Sequence, residues 1–121
     1  MLAALGLIAE AGTQRQLALE HELASGDGDD APTVAMARYF LGLNNVEARE
    51  FQRALDAVAP SLAVGTSVEP LLRSVQAQAF AGLGRMPEAK SAAAAALASA
   101  RSDGQRSRLA KELAHLLDAR A

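Results

Sequence analysis

The chain has 121 residues, half of them hydrophobic, a length that suits one domain. Its formal net charge of −2 supplies no field that would draw in DNA or an anionic membrane, so neither partner is expected. The absence of cysteine excludes disulfides, thiol catalysis and cysteine zinc sites, and it fits a cytoplasmic protein.

Strong helix formers dominate and β-branched residues are sparse, so helices are expected nearly throughout. The first, about 1–11, is apolar almost all round, through Met1, Leu2, Leu5, Leu7 and Ile8. It is too short for a membrane span, and without a basic leader it does not read as a signal peptide. Such a helix expects cover, from an upstream part of a longer chain or from another copy. Gly12-Thr13 breaks it, and Thr13 with Gln16 opens a second helix, about 14–24, through a Ser/Thr-x-x-Glu/Gln capping box.

The polar run Ser25–Pro32 is a loop, Asp30 being the expected cap of a helix over about 31–42. Leu43–Asn45 reads as a tight turn into a helix over 46–59, which Asn44 or Asn45 would cap. After the connector Ala59–Ser67, Thr66 and Glu69 form a second capping box before a helix over 68–83. Gly84–Pro87 turns into the alanine-rich helix 87–101, and Ser102 with Gln105 opens the last, 104–119. There Leu109, Leu113, Leu116 and Leu117 form one stripe under a polar face, as the end of a stack requires. The expected organisation is thus a single all-α domain, 1–121. Antiparallel hairpins at about 1–24, 31–59 and 68–101 stack on one another, and a capping helix closes the C-terminal end.

A recurrence supports stacking. Phe40, Gly42 and Leu43 return forty positions later as Phe80, Gly82 and Leu83, each set followed by a Glu-Ala pair. Phe80 and Ala89 are nine apart, as are Tyr39 and Ala48, and Pro60 lies twelve beyond Ala48. At these residues the chain resembles the tetratricopeptide repeat, whose helix–turn–helix unit sets an aromatic on its first helix and a small residue nine later. Either Tyr39 or Phe40 fills the aromatic position. The Trp-x-x-Leu-Gly opening is missing, Arg101 stands where the last proline would be, and forty exceeds the usual thirty-four. The resemblance implies a right-handed superhelix of about three hairpins that binds other proteins.

No catalytic constellation stands out. Gly82-Leu83-Gly84 follows a helix rather than a strand and lacks a P-loop lysine, so it reads as a turn. Asp27–Asp30 is a solvated linker; Arg38 falls where a calcium loop would need its glutamate. His21 and His115 stand apart with no ligand spacing, so no metal or other cofactor is expected. The expected function is a non-enzymatic interaction module that binds a peptide or helix of another protein. Under the resemblance, Thr33, Ala37 and Phe40 line its groove in one unit and Ser74, Gln78 and Ala81 in the next. Arg38 and Arg73 sit at the rim, and Phe40 is the anchor. The alternatives are an oligomerisation domain that associates through Leu2, Leu5 and Ile8, and a helical regulatory domain of a larger protein. High alanine content points to a bacterial, GC-rich source.

Overall fold

A computed structural model describes residues 31–117 together with residues 16, 17 and 20, and every regular element among them is helical. In order these are α1 (Pro32–Glu47), α2 (Phe51–Val64), α3 (Glu69–Gly82), α4 (Met86–Ala98), α5 (Asp103–Glu112) and the single turn α6 (Ala114–Leu117). Pro32, Pro70 and Pro87 occupy the first turn of their helices, where the missing N–H has no partner to lose. The Ser102 hydroxyl caps α5 by accepting from the Gln105 amide at 3.1 Å. Thr66 acts differently from expectation. Its Oγ1 accepts from the Val68 amide at 3.1 Å and closes a turn ahead of α3, rather than forming a box with Glu69.

The two hairpin turns share one geometry. After α1 the Glu50 amide donates to Asn45 O at 2.8 Å and the Arg49 amide to Val46 O at 3.0 Å. After α3 the Arg85 amide donates to Phe80 O at 2.9 Å and the Gly84 amide to Ala81 O at 3.0 Å. This double bond pattern around one left-handed residue satisfies the orphan carbonyls of a helix end. The left-handed residues are Arg49 (φ 62°) and Gly84 (φ 78°), thirty-five positions apart.

This corrects the sequence reading. Leu43–Asn45 is not a turn; Asn44 and Asn45 are buried inside α1, which runs on to Glu47. Ala48 is therefore the C-cap of α1 and not a contact residue on the next helix. The position equivalent to Ala89 is Ala54, and both are fully buried. The repeat distance is thirty-five rather than forty. Two further differences concern helix ends. The second helix passes through Pro60 to Val64, and the last breaks at Leu113, where the Leu116 amide turns back to Leu113 O at 2.8 Å. The tightened turn keeps Leu109, Leu113 and Leu116 all buried. Of the expected first hairpin, residues 16, 17 and 20 are helical and the rest lies outside the described residues, as do Thr13 and Asp30.

Packing follows from small residues. α1 pairs with α2 and α3 with α4, and α3 also rests on both helices of the first pair. One cluster joins α1, α2 and α3 through Ala35, Ala54, Val58, Leu72, Val75 and Ala79. Another joins α3 and α4 to the C-terminal helices through Ala77, Ala89, Ala92, Ala93, Ala96 and the three leucines. The alanine run is thus a packed face, with Ala94 left outside. Three helices close on Gly42, where an added Cβ would lie 2.9 Å from both Val58 Cγ1 and Val75 Cγ1. Gly42→Val is expected to destabilise the fold by about 1–3 kcal/mol through overpacking, read from urea unfolding midpoints.

Candidate functional site

The thirty-five-residue register decides which side chains share a face. Ser74, Gln78 and Ala81 on α3 correspond to Tyr39, Leu43 and Val46 on α1. The expected α1 triad, Thr33, Ala37 and Phe40, corresponds instead to Val68, Leu72 and Val75, which pack against the preceding hairpin. The two expected triads therefore do not line one groove. Thr33 is exposed, Ala37 half-buried and Phe40 39% exposed, its ring tilted against Tyr39 at 5.2 Å between centroids. Phe40 falls at the register position of Val75, which is buried against the first hairpin.

The shared face holds other groups. Tyr39, Leu43 and Val46 are half-buried against the first core cluster. Beside them Ser74 is buried and its Oγ accepts from Gln78 Nε2 at 3.2 Å, while Ala81 leans on the second cluster. Burial raises the Tyr39 phenol pKa above its usual 10.0, and the Glu112 carboxylate on α5 adds to the shift. The Tyr39 side of α1 thus senses a charge from α5, with α3 packed alongside. The sequence reading missed Tyr39 and Leu43 as members of this face because it placed the turn early.

The two expected rim arginines behave differently. Arg38 is not at a rim; it is buried, and its Nη1 donates to Ala57 O on α2 at 3.1 Å. Its counterpart Arg73 stays on its own helix, donating from Nη1 to Gln76 Oε1 at 3.0 Å and lying 3.7 Å from Glu69. An open cleft of about 290 Å³ remains between α3 and α4, lined by Arg73, Gln76, Phe80, Glu88, Ser91 and the alanines below them. Arg85 covers the Phe80 ring at 4.8 Å and pairs with Glu88. In the first hairpin the same place is closed: Val34 and Leu41 replace Glu69 and Gln76 and are buried with Ala57.

Among the described residues no group of His, Asp or Glu could hold a metal ion, and no helix is long and apolar enough to cross a membrane. His115 is exposed. Leu2, Leu5 and Ile8 lie outside the described residues. No family model matches the chain, and no curated protein or solved structure matches it. The functional reading rests on the residues themselves.

Two outcomes are expected. Arg38→Met should lower stability by about 1.5–3 kcal/mol in urea unfolding, because it removes a buried charge-assisted hydrogen bond. Tyr39 contributes stability that is whole below its unfolded pKa and is lost as pH rises through the raised folded value. Unfolding measured from pH 8 to 11 should therefore show a steeper alkaline loss for the native chain than for Tyr39→Phe, whose ring has no proton to release.

Proposed function

We propose that the chain is a divergent tetratricopeptide-type repeat and acts as a non-enzymatic protein–protein interaction module. The observation that carries this reading is the pair of hairpins with matching turns thirty-five residues apart. In that register the repeat's Trp-x-x-Leu-Gly-x-x-Tyr … Ala-x-x-x-Phe pattern falls on definite residues. Arg38, Leu41, Gly42, Asn45, Ala54 and Val58 take the six positions in one unit. Arg73, Gln76, Ala77, Phe80, Ala89 and Ala93 take them in the next. Leu-Gly is kept in the first unit, the aromatic in the second and the alanine in both. The bulky aromatics otherwise give way to smaller groups, which a close-packed alanine core accommodates.

A stack of such units places the first helix of each hairpin along one inner face. Tyr39 and Leu43 from α1, with Ser74 and Gln78 from α3, offer an aromatic ring, an aliphatic surface and hydrogen-bonding groups. That mixture suits an extended or helical segment of another protein. Tyr39 replaces Phe40 as the expected anchor, since rigid aromatics at a face's centre dominate affinity.

The test is selection of binding peptides from a random display library against the native chain, followed by titration calorimetry. Tyr39→Ala and Gln78→Ala should each weaken the selected peptide by about tenfold or more, consistent with the loss of an anchor worth above 1 kcal/mol. Peptides that bind both variants as tightly as the native chain would remove the inner face from the binding function.

A further inference from the structure

The cleft between α3 and α4 is bordered by more free donors than free acceptors. Arg73, Gln76 and Ser91 stand along it, with Glu88 in the first turn of α4 and Phe80, Ala92 and Ala95 as an apolar wall. The Arg73 Nε–H is buried and meets no acceptor; Glu69 Oε2 stands 3.7 Å away, beyond hydrogen-bond reach. A buried donor in that state is costly and calls for a partner. Gln76 turns its Oε1 to Arg73 Nη1 at 3.0 Å, which leaves its Nε2 as a donor. Neither that Nε2 nor the Ser91 hydroxyl makes a hydrogen bond among the described residues. The carboxylate that lines the cleft, on Glu88, is already matched to Arg85, which lies over the Phe80 ring. What the cleft lacks is an acceptor with negative charge.

The first hairpin shows how the same place is filled from within. There Arg38 donates to Ala57 O across the hairpin, and Val34 and Leu41 close over it. The residue that matches Ala57 is Ala92, yet both partners of Arg73, Gln76 and Glu69, lie on α3. Glu69 and Gln76 also stand where the first hairpin has its two apolar groups. At about 290 Å³ the space is near the lower bound of small-molecule sites, about 300–1,000 Å³. It suits one planar acid group with a small apolar body.

We propose that this cleft binds a small organic carboxylate. The acid accepts from the Arg73 guanidinium, whose planar fork of N–H groups matches two oxygens, and from Gln76 Nε2 and the Ser91 hydroxyl. The apolar body of the ligand rests on Phe80, Ala92 and Ala95. Arg73, Gln76 and Phe80 lie on a different face of α3 from Ser74 and Gln78, so the site is separate from the inner face and does not depend on it.

Titration of the full-length chain with phenylacetate and with its neutral analogue phenylacetamide, followed by amide NMR shifts, tests the assignment. Phenylacetate should shift residues around Arg73 and Ser91 and bind about tenfold tighter than the amide. Arg73→Met should remove that preference, thermal unfolding serving to confirm that the variant folds. Lys111→Met, at an exposed cation on α5, should keep it. Ser91→Leu, at an exposed position of α4, should weaken acid and amide alike by obstructing the cleft. Absence of shifts at the cleft, equal binding of acid and amide, a preference that survives Arg73→Met, or unchanged binding by Ser91→Leu would each overturn the proposal. So would tighter binding of a terminally blocked tripeptide with a central glutamate, which would give the cleft to an acidic side chain of a partner protein.

Discussion

The close approach at Gly42 sets the geometry of the described chain. With Val58 and Val75 closing on one backbone position, α1, α2 and α3 meet where a single methyl group has no space. Ala54 and Ala89 repeat the condition at the matching helix of each hairpin, both fully buried. Only four residues are aromatic, so cohesion cannot come from large side chains. It comes from many short-range contacts between closely spaced helices, each weak and collectively strong. Gly82 extends the principle between hairpins. The Phe51 ring of α2 occupies the volume its side chain would need. Small residues on one helix thus define where the large residues of the next can lie.

How much of this was legible in the sequence depends on which signals are local. Helix type was legible, because Ala, Leu, Gln, Glu and Arg favour one conformation regardless of tertiary context. The turn at Gly84 was legible too, since glycine takes left-handed geometry without steric cost. The other turn was not. Asn44-Asn45 carries a turn signature, but burial holds both residues inside α1. The left-handed position fell to Arg49, a residue type that gives no warning of it. The Phe40–Phe80 recurrence then supported the wrong spacing. In the structural register the partner of Phe80 is Asn45, so the two phenylalanines match by composition and not by place.

That slip explains the expected groove. The α1 triad was matched to an α3 triad six residues out of register, and six residues turn a helical face by about a third of a revolution. Thr33, Ala37 and Phe40 therefore fall on the positions of Val68, Leu72 and Val75, while Ser74, Gln78 and Ala81 fall on those of Tyr39, Leu43 and Val46. The α3 positions kept their register because the turn at Gly84 was placed correctly. The α1 half was lost with a single helix boundary. Site assignment in repeats is fragile for this reason: an error too small to change the fold class rotates every inferred surface on one helix.

The arginine pair shows how the side chains of each unit decide whether a face is open. The Ala57 carbonyl of α2 lies within reach of Arg38 across the hairpin. Arg38 reaches across and donates to that carbonyl, drawing its charge into the hairpin, and Val34 and Leu41 close over the same place. Arg73 instead pairs along its own helix with Glu69 and Gln76, and the space between α3 and α4 stays open. Two units with the same turn and the same small-residue contacts thus present a sealed surface in one case and a polar cleft in the other. The difference goes with the Val34/Glu69 and Leu41/Gln76 exchanges. Backbone geometry is shared between units, and surface character is assigned unit by unit by the residues that the stacking contacts leave free.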